Sequence, residues 1–220
     1  MAFSFIPTGN FAVDTVIQYI LDDTNRPDKL EEIKRRIQRA VIKHHFKDFY
    51  KRDLIEDTYN FTNKQALQFI DTTKLIRFRS FSYIKKFRAI DTQGNPIINQ
   101  SGAVGTLQGG DLTETAPEIA FDSYGFDKTD VMYKAGSLVK INASAPIDEV
   151  FIGYFTFPQI EPITALQSWI VNEYPSLIAA VVKQRIFKNA GKDDEERSAK
   201  VEEAEELLVL QTNNIRLTVM

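Results

Sequence analysis

The 220-residue chain contains two histidines and no cysteine, so few of its side chains could carry chemistry. His44 and His45 are adjacent. Neighbours on a helix project roughly 100° apart, so the pair cannot chelate one ion from a single face. The expectation is a partly buried His44 beside a surface His45. Lack of cysteine removes disulfides, thiol nucleophiles and thiolate metal sites. The stretch Gly102-Ala103-Val104-Gly105-Thr106-Leu107-Gln108-Gly109-Gly110 superficially looks like a phosphate-cradling loop. It lacks the Gly-Lys-Ser/Thr ending and a strand–loop–helix setting, so a mobile loop contacting a neighbour is expected there. Asp122, Asp127 and Asp130 do not have the spacing or the closing glutamate of a calcium loop. Carboxylate pairs for acid–base work can assemble across distance, but no local motif singles one out. No catalytic residue, metal ligand or cofactor is assigned, and an enzyme is not expected.

Charge is the stronger pattern. The net charge is −3, yet residues 26–52 hold ten Lys/Arg against four Asp/Glu. Residues 74–88 hold six bases and no acid, and residues 192–206 hold eight acids against three bases. Such blocks either orient a subunit toward oppositely charged neighbours or form solvated helix faces. The basic face comprises Arg35, Arg36, Arg39 and Lys43 on a predicted helix, and Arg77 and Arg79 on a predicted strand. Around the latter, Phe78, Phe81, Tyr83 and Phe87 interleave with Lys85, Lys86 and Arg88. Basic and aromatic groups on a sheet can bind single strands, but alternation equally makes the aromatics the inner face of a sheet.

The elements that would position these groups follow from periodicity. Asn10 caps a helix with Val13, Val16, Ile17, Ile20 and Leu21 on one face, ended by Asp22–Asn25. Pro27 suits the first turn of a second helix, whose inner face is Leu30, Ile33, Ile37, Ala40, Val41 and His44. Strands are expected over 54–61, 67–70, 76–84, 138–143 and 149–157. A turn is expected at Ala135-Gly136-Ser137, and an irregular Gly-rich loop over 92–130. Residues 163–171 read as helical. A helix from Pro175 should stop at Gly191. The last helix, Asp193–Leu210, should turn Ala199, Ala204, Leu207 and Leu208 inward. Residues 211–220 form an unclassified tail whose Ile215, Leu217, Val219 and Met220 need a cover. Trp169, the only tryptophan, and Tyr174 are a core anchor or an inter-subunit contact.

The fold class is thus α+β in one domain spanning 1–220. Terminal helices (about 10–50 and 162–210) pack as one bundle, with an antiparallel β lobe (about 54–157) inserted between them. No apolar run approaches the roughly 20 residues needed to cross a bilayer, so no membrane contact is expected. Met1–Pro7 lacks the features of a secretory signal.

Two segments carry a resemblance. Tyr133-Lys134-Ala135-Gly136-Ser137-Leu138, followed by Gly153-Tyr154-Phe155 before a proline, is similar to the β segment of tailed-bacteriophage head-to-tail adaptor proteins. Ser168-Trp169-Ile170, then Tyr174-Pro175-Ser176-Leu177-Ile178, a helix ending at Gly191 and an acidic final helix resemble the same group. That group includes podovirus tail accessory factors and tail tubular protein A. The resemblance implies helices flanking a β lobe and a structural virion protein of the phage neck, made in the host bacterial cytoplasm. It further implies a homo-oligomeric, dodecameric ring beneath the portal protein that carries the tail nozzle or other tail proteins, with DNA passing through the lumen. The acidic helix 193–206 would face the basic helix 29–43 of a neighbour or pack beside it within one subunit. Ile215, Arg216, Leu217, Val219 and Met220 would dock on the portal. The alternative is a nucleic-acid-binding accessory protein using the basic and aromatic segment 74–88.

Overall fold

A computed structural model describes residues 5–90, 106–120 and 128–218. The fold is mixed α+β, with five α-helices and two mainly antiparallel sheets among the described residues. The chain forms two compact units, Met1–Asp53 with Phe157–Met220, and Leu54–Thr156.

The first unit is helical. α1 (Phe11–Thr24) starts where the Asn10 side chain accepts from the Val13 amide. It stops at Asn25, whose left-handed φ of 53° turns its own N–H onto the Leu21 carbonyl. Val13, Val16, Ile17, Ile20 and Leu21 are fully buried. Each such side chain contributes about 1.5–3 kcal/mol on leaving water. A 3-10 turn at Pro27–Lys29 leads into α2 (Leu30–Lys47), which buries Ile33, Ile37, Ala40 and Val41.

After the second unit the chain makes a 3-10 turn (Ile163–Ala165), then α3 (Trp169–Glu173), α4 (Pro175–Asn189) and α5 (Asp193–Thr218). α1, α2, α3 and α5 all pack on α4. The continuous helix expected over 163–171 is not formed. A bridge between Gln159 and Gln167 holds the chain extended, and Ser168 is extended too, so α3 begins only at Trp169. Gly191, with φ +66°, ends α4 as expected, letting the Lys192 amide reach the Phe187 carbonyl at 3.0 Å.

α5 departs most from expectation. It runs through Thr218, absorbing most of the tail read as a separate segment. No glycine or proline interrupts 192–220, so nothing in the backbone stops the helix at Leu210. Its inner face is Ala199, half-buried Leu207 and Leu210, whereas Ala204 and Leu208 point outward. The side chains of residues 214–218, and Val219 and Met220 altogether, lie outside the described residues. The docking role of Ile215, Arg216, Leu217, Val219 and Met220 therefore has no described geometry.

In the second unit one sheet has the order β1-β8-β3-β4, from β1 (Leu54–Asn60), β8 (Glu149–Thr156), β3 (Phe78–Ile90) and β4 (Thr106–Asp111). The other has the order β2-β7-β6-β5, from β2 (Leu67–Asp71), β7 (Leu138–Asn142), β6 (Val131–Ala135) and β5 (Thr113–Glu114). Only the short β5–β6 pair is parallel among the described ladders. Gly136, at φ +63°, makes the two-residue turn between β6 and β7. The interior is Ile70, Ile84, Ile141, Ile147, Val150, Ile152 and Tyr154. Part of the expected 92–130 loop is ordered strand, since Thr106–Asp111 pairs with β3. Residues 92–105 and 121–127, including Asp122 and Asp127, lie outside the described residues.

β8 is an inner strand paired with both β1 and β3, and at Gly153 it passes directly beneath the Tyr83 ring. A Cβ at residue 153 would lie 2.5 Å from Tyr83 Cε1. Gly153→Ala is expected to destabilise the protein by about 1–3 kcal/mol through overpacking, read by urea unfolding. Tyr83→Ala added to it should recover part of that loss, and an additive double variant would show that the ring is not the obstacle.

Candidate functional site

The two histidines depart from expectation first. His44 is 0% and His45 1% exposed. They project in different directions, so burying both requires that the end of α2 be covered over a wide arc. His44 is enclosed on the side of α5, where Glu203 Oε1 lies 3.8 Å from its Nε2. His45 is enclosed by Asp53, Ser168 and Trp169.

Trp169 is the centre of that second enclosure. Its Nε1 donates to Asp53 Oδ1 at 2.9 Å, and Asp53 Oδ2 lies 2.9 Å from His45 Nδ1. His45 Nε2 is 2.9 Å from Ser168 Oγ. Tyr50 meets the indole edge-on at 5.1 Å and Tyr174 does so at 6.2 Å, while the Arg52 guanidinium lies 5.3 Å over its ring. Arg52 also pairs with Glu173. Ser168 stands at the start of α3 but makes no side-chain cap there, because its hydroxyl faces the imidazole. Trp169 is thus an anchor within this chain, and Tyr174 extends it by accepting from Asn213 of α5 at 2.9 Å.

Aspartate, histidine and serine here have the hydrogen-bond connectivity of a hydrolytic triad. With Nδ1 donating to Asp53, Nε2 is left to accept from the serine hydroxyl. Ser168 is 5% exposed, and its Oγ faces the His45 ring. The arrangement braces α2 against α3.

The basic and acidic blocks meet within one chain. Glu203 is 2.8 Å from Lys43 and 3.6 Å from Lys47, so the acidic helix is tied by ion pairs to the basic helix of its own chain. Lys183 of α4 is buried between Asp23, at 2.8 Å, and Glu202, at 2.6 Å. Burial alone would lower the Lys183 pKa, but the two carboxylates outweigh it and hold it above its ordinary value. Burial likewise opposes the lowering of Glu203, and its bonds to Lys43 and Gln184 prevail.

Arg36, Arg39 and Lys43 of the expected basic face line a groove of about 590 Å³ between α2, α4 and α5. Arg35 is exposed and turns back to the Glu31 carbonyl instead. Sequence reading missed the opposite bank, Arg185, Lys188 and Lys200. Its signal was the 3-residue spacing of Arg185 and Lys188, present but diluted in a helix with two mostly apolar faces.

On the second unit, Arg77 precedes β3 rather than alternating within it, with a left-handed φ of 49°. Register shifts between Phe78 and Ser80 and between Phe81 and Tyr83 disrupt simple alternation. Phe78 and Phe81 consequently stack on each other at 4.7 Å, half-buried against the sheet core. Tyr83 packs on Phe151 and donates to Glu56. These rings are engaged in their own sheet. Asp130 pairs with Lys86 and accepts from Ser144, which gives it a structural use in place of a cation site.

No protein-family model matches the chain, and no curated protein matches its sequence.

Two outcomes follow from these buried groups. Asp53→Ala removes the acceptor of the Trp169 indole and the carboxylate beside His45 Nδ1, and is expected to cost about 2–5 kcal/mol. Because Trp169 is the only tryptophan, a red-shifted native emission should accompany the loss. An unchanged urea midpoint and spectrum would refute the anchor. His44 titrates with a pKa pushed down to about 4, chiefly by burial and then by Lys47. Its unfolded value is near 6.5, so the unfolded chain binds the extra proton first. The associated stability is present above about pH 6.5 and is lost as pH falls toward 4, amounting to about 3 kcal/mol. His44→Leu should flatten the pH dependence of the urea midpoint across that window, and an identical pH slope in both proteins would contradict it.

Proposed function

We propose that the protein is a structural connector of a phage virion, a ring that joins a portal protein to the tail. In this reading the helices from both chain ends form one bundle, residues 54–156 are an inserted β lobe, and the whole chain serves as one adaptor domain. It has no catalytic role and carries no cofactor. Neighbouring copies close the ring, one rim meets the portal, the other meets a tail nozzle or equivalent, and DNA passes through the lumen.

The observation that carries the reading is the outer side of α5. Val201 is 58%, Leu208 65% and Val209 50% exposed, while Ala199 and Leu210 on the same helix are buried. A helix that already has an inner apolar face and still presents a second one is suited to a protein partner. Leu67, Phe69 and Leu138 give sheet β2-β7-β6-β5 a comparable exposed apolar set. The acidic and basic blocks do not support inter-subunit contact in the same way, because Glu203 already engages Lys43 and Lys47 of its own chain. The segment 74–88 gives the nucleic-acid alternative little support, since its rings are packed internally.

The test is native mass measurement of the protein alone and mixed with a portal protein. A ring, or a stoichiometric complex with the portal, is the expected result; a monomer in both states would overturn the reading. Removal of residues 214–220 probes the docking end. It keeps Asn213 and its bond to Tyr174. Loss of portal attachment with an unchanged melting temperature supports docking, whereas attachment that survives truncation refutes it.

A further inference from the structure

We infer that the groove between α2, α4 and α5 is a binding site for a phosphodiester backbone, contacted without reading its bases. This surface is separate from segment 74–88 and does not depend on the connector reading. Six cations line the groove: Arg36, Arg39, Lys43, Arg185, Lys188 and Lys200. The single acid among the lining residues is Glu196.

Three of the six are already engaged. Arg36 pairs with Glu32, Lys43 with Glu203, and Lys200 with Glu196. Arg39, Arg185 and Lys188 are exposed and make no ion pair among the described residues, although Arg185 and Lys188 act electrostatically on Glu196. Arg39 stands on one bank, and Arg185 and Lys188 follow each other by three residues on the other. On α2 the positions 36, 39 and 43 recur at helical spacing over roughly 10 Å. The groove therefore presents two rows of cations separated by a cleft of about 590 Å³.

The lining decides the class of partner. The centre of a protein–protein interface is apolar, is depleted of charge and anchors aromatic side chains. Here the apolar lining is only Ala40, Val181 and Val182, all small. Single-strand stacking platforms need aromatic faces, and no aromatic residue lines this groove. What remains is a concave row of arginine and lysine, including arginines able to grip a phosphate through two N–H groups. Contacts of this sort position a nucleic acid and are indifferent to sequence. Three cations without an ion pair would displace about three counterions.

The experiment uses the full chain, a short fluorescein-labelled duplex of mixed sequence, the corresponding single strand, and poly-glutamate. Anisotropy should show binding of both nucleic acids with little sequence preference. Its log–log salt slope should be about −2 to −3, so affinity falls roughly 15- to 60-fold between about 50 and 200 mM salt. The variant Arg39→Ala/Arg185→Ala/Lys188→Ala should bind at least tenfold more weakly with an unchanged melting temperature. The control Arg77→Ala/Lys85→Ala should bind like the parent protein. Undiminished binding by the triple variant, or none by the parent at low salt, overturns the site. Loss of binding in the control alone moves the contact to β3 and also overturns it. Equal binding of poly-glutamate at matched charge assigns the groove to an acidic protein and refutes the phosphate assignment, as does displacement of poly-glutamate by inorganic phosphate without any binding of duplex.

Discussion

The carboxylate of Asp53 accepts from the Trp169 indole and lies against His45, and through His45 it reaches Ser168 at the start of α3. Asp53 is the last residue of the helical unit before the chain leaves it, and the chain returns only at Phe157. The β1–β8 ladder, which pairs Leu54 with Phe155, already brings those two points together. Neither that ladder nor apolar packing fixes how α3 sits against α2. Two directional bonds from one carboxylate do specify it, since its oxygens tie α2 and α3 at fixed angles. The tie is almost wholly out of water, with Asp53 7% exposed. Each partner is therefore expensive to lose.

Once α3 is placed, α4 follows almost without choice. Pro175 begins it immediately beyond Tyr174, and Leu177, Ile178, Ala179 and Val182 join Val13, Ile17, Ile33 and Ile37 in one apolar cluster. α5 is attached differently. Its buried apolar contribution is small, and its strongest ties are Glu202 with Lys183 and Glu203 with Lys43 and Gln184. Ion pairs of this kind add less stability than their geometry suggests. They do select a register, because a slip of one turn, about 5.4 Å, would separate every pair at once. α5 is thus located by charge on one side and left with apolar groups on the other.

Those two properties join the functional surfaces to the fold. The same three helices that pair Lys43 with Glu203 and Lys200 with Glu196 leave Arg39, Arg185 and Lys188 facing a common groove. The outer apolar side of α5 turns away from that pairing. Connector and phosphate-binding roles would use different faces of one helix, so neither needs to rearrange the other.

Much of this was legible in the sequence. Asn10, Pro27 and Gly191 marked element ends because capping and positive φ are local matters of backbone geometry. The buried positions of α1 and α2 followed from helical period, and Gly136 from the needs of a two-residue turn. The tertiary structure alone decided whatever depends on a distant partner. His45 is buried because residues 8 and 123 positions further on enclose it, and no local pattern contains that information. Leu208 faces solvent and Glu203 faces inward because Lys43 and Gln184 await the carboxylate, reversing the choice that hydrophobicity alone would make. Half of the cationic groove was visible as a helical repeat on α2. Its other half became a site only when α4 was laid beside it, since a groove requires two banks and periodicity describes one helix at a time.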